Sequence, residues 1–337
     1  MGSSILDACG WIGLILFALL VVQVVRLAIS DADLTLQFCT RFGKKPDNEL
    51  RGKIVWITGA SSGIGESLAY ALAKCGAQLI LSARREEELN RVRGNCKDQE
   101  KHMVLPLDLL QYETHQAAVE KVIARFGKVD YLVNNAGRSQ RAVAMETTLA
   151  VDKAALELNT LGTISLTKAT LPHLVKQGGG AIVVISSVAG KMGSPGSASY
   201  SATKHALQGF FDTLRMEIAD TGVDVLSVCP GPVESKSYDA IFTSEIGKAP
   251  PQAAKPTPGK PDSRMSGERC AYLISVAMAN RLDEVWISLH PILFFTYLMQ
   301  YMPGLAMRLG KRLGNQRLKA LQAGKQDING SFFKKIK

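Results

Sequence analysis

The sequence predicts an α/β protein built on a doubly wound parallel sheet, and three observations lead there. Short apolar runs alternate with helix-length segments along most of the chain. The runs are rich in Val, Ile and Leu, as strands covered on both faces are. The first run opens directly into a glycine-rich turn and then a helical pattern. In order, the runs are Ile54–Ile57, Gln78–Leu81, Val104–Leu107, Tyr131–Val133, Ala181–Ile185 and Val223–Val228. A helix candidate at Gly267–Asn280 precedes the last, Glu284–Ser288.

With 337 residues, 46% of them apolar, the chain can bury a large core. Its six cysteines are scattered, with no CxxC pair and no Cys/His cluster, so neither a disulfide framework nor a metal site is expected. The net charge of +10 raises the question of nucleic acid, but no recognition module accompanies it and nucleic acid is not expected as a partner. Nine Lys or Arg and a single Asp lie between Arg308 and Lys337. That stretch reads either as a solvated basic tail or as a membrane-surface segment.

Both ends carry additions to the sheet domain. Trp11–Val22 is continuously apolar and the pattern continues to Ile29, with Arg26 placed to snorkel to headgroups. Residues 1–30 are expected to form an uncleaved membrane anchor; a signal peptide fits less well, because no Lys or Arg precedes the run and no small-residue cleavage site directly follows it. Residues 31–51 read as a linker lying against the membrane or the domain. The domain is expected over 52–290, with a flexible excursion at 234–266 marked by APPQAAKPTPGKP and suited to closing over a substrate. In the extension 291–337, the apolar part to Leu309 is either a second membrane-contacting helix, interrupted at Pro303-Gly304, or a helix packed on the domain.

The turn after the first run is Thr58-Gly59-Ala60-Ser61-Ser62-Gly63-Ile64-Gly65. Its glycines permit a tight turn, close approach of backbone N–H groups to a pyrophosphate, and close packing of the following helix. The second run ends in Arg84-Arg85, where an NAD-binding fold presents an acid to the ribose 2′-hydroxyl. An arginine there favours a 2′-phosphate, so the expected cofactor is NADPH/NADP. Asp108 is placed for the adenine amino group, and Asn134-Asn135-Ala136-Gly137 for a cofactor-lining turn.

Farther along, Tyr200-Ser-Ala-Thr-Lys204 sets a phenol and an ammonium four residues apart, on one face of a helix. A phenol of ordinary pKa, about 10, is a poor acid and base at neutral pH. A neighbouring ammonium favours the phenolate and makes the group usable.

These motifs, TGASSGIG at 58–65, NNAG at 134–137, Asn159, Ser187 and YSATK at 200–204, together resemble the short-chain dehydrogenase/reductase family over roughly residues 50–290. The resemblance implies a Rossmann-type sheet of seven parallel strands and reversible hydride transfer between a nicotinamide and a carbonyl or alcohol. It implies Ser187 as catalytic serine, Tyr200 as general acid/base, Lys204 as its partner and ribose ligand, and Asn159 in a water-linked proton relay. It implies Pro230-Gly231 and Val233 beside the nicotinamide. Ser235 stands where many members have Thr and keeps the hydroxyl.

An anchored domain suggests a substrate that partitions into lipid, and the resemblance suggests steroid, retinoid or xenobiotic ketones and aldehydes, reduced to alcohols. Ser194, Pro195, Tyr238, Ile241 and Phe242 are candidate lining residues. Oxidation of an alcohol by the same groups, or a nicotinamide-binding membrane scaffold with little turnover, are the competing readings, and a homodimer is an allowed assembly. The charges flanking the anchor and the terminal Lys334-Lys-Ile-Lys337 favour an endoplasmic-reticulum membrane with the domain in the cytosol, whereas the sequon Asn329-Gly-Ser331 favours the lumen.

Overall fold

Seven strands form one parallel sheet in the order β3-β2-β1-β4-β5-β6-β7. They are β1 (Ile54–Thr58), β2 (Gln78–Ser82), β3 (Met103–Val104), β4 (Tyr131–Asn134), β5 (Gly180–Ile185), β6 (Val223–Pro230) and β7 (Glu284–Ile287). The structure is a computed structural model that describes residues 2–234, 240–249 and 264–322, leaving out the side chains of 2–9, 24, 26, 27, 316, 317 and 319–322. The expected Rossmann-type sheet is therefore present. Its strand order reverses between β1 and β4, whose register pairs Val55 with Tyr131 and Ile57 with Val133. The carboxyl ends of these two strands flank the crevice in which such sheets bind ligands.

Twelve α-helices cover the described residues: α1 (Gly2–Ala28), α2 (Leu34–Phe42), α3 (Pro46–Glu49), α4 (Gly63–Lys74), α5 (Glu86–Gly94), α6 (His115–Phe126), α7 (Leu149–Leu156), α8 (Gly162–Lys176), α9 (Ala198–Glu217), α10 (Gly267–Ala279), α11 (Ile292–Tyr301) and α12 (Pro303–Gln322). Alternate residues of each strand feed opposite cores. Val55 and Ile57 of β1 join Leu68 and Leu72 of α4 and Ile274 of α10 on one face. Ile54 and Trp56 join Val119 of α6, Leu166 of α8 and Phe211 of α9 on the other. The fully buried Trp56 keeps its indole N–H satisfied by Ser82 Oγ at 2.9 Å.

Three segments differ from expectation in detail. Strand β3 stops at Val104 rather than Leu107, although Leu105 and Leu107 still donate to Leu81 and Ala83 carbonyls at 3.0 Å each; Pro106 between them sits at the sheet edge, where no N–H is needed. The stretch 31–51 lies on the domain: Leu36 and Leu50 are fully buried in the α4/α10 core. Asp33 caps α2 through Leu36 N–H and also accepts Trp286 N–H from β7 at 2.7 Å, and Arg269 grips Asp31 at 2.7 Å. The apolar stretch from Pro291 breaks where expected, at Pro303, which starts α12.

Helix α1 presents exposed apolar side chains from Trp11 to Val22. Among the described residues no helix is long and apolar enough to cross a membrane. Ser235, Tyr238, most of the proline-rich excursion, the sequon at Asn329 and the terminal lysines also lie outside the described residues.

Candidate active site

The cradle at the end of β1 is built by hydrogen bonds to backbone. Thr58 Oγ1 accepts the N–H groups of Asn135 and Ala136 at 3.0 and 3.1 Å and donates to Val133 O at 3.3 Å, tying β1 to the turn after β4. Asn135 Nδ2 returns the tie by donating to Thr58 O at 2.9 Å and Gly59 O at 3.2 Å. Turn carbonyls are thereby held on the protein side, while the first-turn N–H groups of α4, which have no helical partner, face the crevice end of the helix. Gly59 and Gly63 have φ of +66° and +62°, where only glycine sits at no cost. A Cβ on Gly65 would lie within 2.5 Å of Asn135 Nδ2 and closer still to Gly59 O. The residues present fit the pyrophosphate of a dinucleotide, which needs close backbone approach.

Ser61, Ser62 and Ile64 complete this turn; Ser61 O accepts from Arg91 Nη2 at 3.3 Å, which braces the turn from α5. Arg84 and Arg85 are exposed beyond β2, and among the described residues neither forms an ion pair. Asp108, half-buried after β3, accepts the N–H of Leu110 at 3.1 Å.

The second half of the site stands on α9 and the ends of β5 and β6. Lys204 is buried, donates from Nζ to Ile185 O at 2.8 Å, and has that nitrogen 5.7 Å from the centre of the Tyr200 ring. Burial pushes the Lys204 ammonium down to about 8, partly opposed by Cys229. The Cys229 thiol beside it is pushed up to about 12, chiefly by burial. For Tyr200, burial raises the phenol above its ordinary value, while a hydrogen bond with Ser187 and the charge of Arg141 pull it down. Ser187 also donates to Pro230 O at 3.2 Å and accepts Ala189 N–H at 3.1 Å, which fixes it at the end of β5. Its neighbour Ser186 is structural: it is buried between Lys204 O and Gln208 Nε2.

Asn159 sits in a π-helical turn, Glu157–Leu161, between α7 and α8. It is fully buried, accepts Arg138 N–H at 2.8 Å and donates to Arg138 O at 2.9 Å and Thr203 Oγ1 at 3.2 Å. A Cβ on Gly137 would lie 3.1 Å from Asn159 Oδ1 and 3.8 Å from Lys204 Nζ. The space that Gly137 leaves empty therefore joins Asn159 to Lys204. Gly231 donates to Ile287 O at 2.8 Å, and Val233 bridges to Met265, so the 230–233 turn is anchored on both sides.

The structure thus gathers Thr58, Gly59, Gly65, Asn135, Gly137, Asn159, Ser187, Tyr200, Lys204 and Pro230 at the carboxyl end of the sheet. Sequence reasoning missed two arginines there. Arg138 donates to Ala240 O and lies 4.6 Å from the Phe242 ring centre, and Arg141 acts electrostatically on Tyr200. Their signal was present, since both follow NNAG within four residues.

A family described as short chain dehydrogenase matches residues 53–245. The chain is 44% identical over 325 residues to dehydrogenase/reductase SDR family member 7 of Homo sapiens, covering 95% of this chain and 94% of that protein. It is 45% identical to the protein of the same name in Mus musculus, over 88% of each. Among solved structures, a short-chain dehydrogenase from Streptomyces avermitilis superposes with a TM-score of 0.65 at 29% identity, over 79% of this chain and 98% of that one. NAD+-bound xylitol dehydrogenase gives a TM-score of 0.54 at 27% identity, over 56% and 73%. A turn that fits a dinucleotide pyrophosphate, a serine–tyrosine–lysine centre and these relatives agree: the chain belongs to the short-chain dehydrogenase/reductase family.

Proposed function

We propose that this oxidoreductase uses NADPH to reduce lipophilic ketones and aldehydes of steroid, retinoid or xenobiotic type to alcohols. The observation that carries the reading is the Ser187–Tyr200–Lys204 cluster beside the cradle. With its pyrophosphate in the cradle, a bound nicotinamide cofactor would supply the hydride. Ser187 and Tyr200 hydrogen-bond the carbonyl oxygen as negative charge grows on it, and Tyr200 gives up its phenolic proton. Lys204, one helical turn away, favours the phenolate that remains, and Asn159 connects to Lys204 across Gly137 for reprotonation through water. The same groups serve alcohol oxidation in reverse, so the cellular cofactor ratio sets the direction.

Preference for NADPH is supported by Arg84, an exposed cation beyond β2 that forms no ion pair among the described residues. A lipid-borne substrate is supported by the two ends of the chain. Helix α1 exposes apolar side chains, which as a single anchor hold the domain to the endoplasmic-reticulum membrane. Helix α12 packs against the loop before α9, since a Cβ on Gly314 would lie 3.0 Å from Pro195 Cγ, and it exposes Leu305 and Met307 beside Arg308. On charge grounds the catalytic domain faces the cytosol. Membranes carrying the full chain are expected to oxidise NADPH on a panel of steroid, retinal and aromatic carbonyls, and Tyr200→Phe membranes are not. Equal turnover in both sinks the mechanism. Protection of the domain from protease in intact microsomes would reverse the orientation.

A further inference from the structure

Arg141 is fixed more firmly than a loop arginine needs to be. Its N–H donates to Phe242 O at 2.8 Å, Ala142 N–H donates to Gly196 O at 3.1 Å, and Phe242 N–H donates to Ser139 O at 2.9 Å. Short parallel bridges Gln140↔Phe242 and Ala142↔Ser197 accompany these bonds. Segments from three distant parts of the chain are thereby laced together at the start of α9, with Arg141 between them. Its Nη1 donates to Ser197 Oγ at 3.3 Å, and Ser197 is the buried residue that heads α9, one turn before Tyr200.

The guanidinium has five N–H donors and stays charged at any physiological pH. Among the described residues it forms no ion pair, and its side-chain partner is the neutral Ser197 hydroxyl. Burial disfavours its charge, and Tyr200 is the group whose field opposes that effect. Arg264, at the base of the 234–266 loop, feels the positive field of Arg141, and Glu234 opposes that effect there. Arg138 differs, because its guanidinium is spent on Ala240 O and the Phe242 ring. A half-buried cation tied to the head of the helix that carries the reacting phenol favours an anion, and the guanidinium fork matches a carboxylate.

We propose that Arg141 is the specificity-determining residue of the substrate site, selecting carbonyl compounds that carry a carboxylate on an apolar body. The carboxylate pairs with Arg141 while the carbonyl meets Ser187 and Tyr200, and the half-buried Pro195, Ile241 and Phe242 supply apolar contact. The inference rests on the reductase reading and narrows its substrate class from neutral lipophiles to amphiphilic oxo acids.

The test separates recognition from chemistry. Calorimetric titration of the detergent-solubilised, NADP-loaded full chain with 4-phenylbutyrate and with its methyl ester measures carboxylate recognition without any reducible carbonyl. The acid is expected to bind at least about tenfold more tightly than the ester, as one charge-assisted hydrogen bond gives. Arg141→Gln should bring the ratio towards one, and Arg141→Lys should keep part of it, since the charge remains without the fork. Equal binding of acid and ester by the wild type, or no saturable binding of either, overturns the proposal even if the variants fail to fold. An acid preference that survives Arg141→Gln overturns it as well. Turnover of 4-formylbenzoate and its methyl ester with NADPH forms the second arm: acid-selective binding without reduction of either aldehyde removes the reductase reading and leaves Arg141 as a carboxylate site.

Discussion

The two halves of the site solve different problems with different parts. The cradle at β1 and α4 is made of backbone and of side chains that are absent: Gly59, Gly63 and Gly65 leave room, and Asn135 and Thr58 hold the turn in place. The catalytic half at α9 is made of side chains that are present, and burial sets their acidity. Adding an atom should damage the first half, whereas removing one should damage the second. A variant that breaks this rule would show that the division is wrong.

Tyr200→Phe tests the second half most severely. The ring and its packing stay while the proton goes, so turnover should fall by about 10²–10⁴-fold, the usual worth of a positioned acid. NADPH affinity and thermal stability should stay close to wild type. A stopped-flow record of NADPH oxidation checks the rate, and fluorescence titration checks the affinity. Gly65→Ala is the converse. Its methyl group has nowhere to go between Gly59 O and Asn135 Nδ2, so an overpacking cost of about 1–3 kcal/mol is expected, with NADPH binding weakened at least about tenfold. Bound cofactor measured at fixed protein concentration would read that loss, and unaltered affinity would remove the steric account of the cradle.

Much of this arrangement was legible because it is local. The strands announce themselves as apolar runs, the cradle as glycines between a strand and a helix, and the Tyr200/Lys204 pair as a four-residue helical spacing. What was not legible depends on residues far apart in the chain. Nothing near Asp33 says that its carboxylate will meet the N–H of Trp286, yet that contact fastens 31–51 to the sheet. Asn159 was readable as a site residue, but not the π-helical turn that carries it or its double grip on Arg138. Arg141 owes its place to Phe242 and Ser197, which no periodicity brings together.

Arg84 sharpens the comparison from outside both halves, because on the NADPH proposal it is a side chain that would serve the cradle. If the cradle reads the pyrophosphate by backbone alone, Arg84→Ala should leave NADH binding nearly unchanged and weaken NADPH binding by about tenfold to a hundredfold, the worth of a charge-assisted hydrogen bond to a phosphate. Parallel titrations with the two cofactors measure the ratio. Equal weakening of both would assign Arg84 a structural role in the turn after β2.

The smallest expected effect tests whether burial really governs the catalytic half. Lys204 has its ammonium pushed down to about 8 from the ordinary 10.5, mainly by burial. Below pH 8 it is charged both folded and unfolded, and the fold bears the full cost of burying that charge. As pH rises above about 8 the folded chain releases the proton while the unfolded chain keeps it, so the unfolded state binds more protons and stability rises with pH. The window closes from above near pH 9, where the buried thiols of Cys229 and Cys270, both pushed up to about 12, begin to act in the opposite sense. Between pH 7.5 and 9 the cofactor-free wild type should gain about 1 kcal/mol relative to Lys204→Met, below the one-proton limit of about 2 kcal/mol for that interval because the folded lysine is only partly deprotonated at its start. Urea unfolding of both proteins at the two pH values measures it, and since the thiols are common to both, their contribution cancels. Parallel pH dependences would mean that Lys204 keeps its charge in the fold, and that its attraction for the Tyr200 phenolate, rather than its burial, sets the acidity of the site.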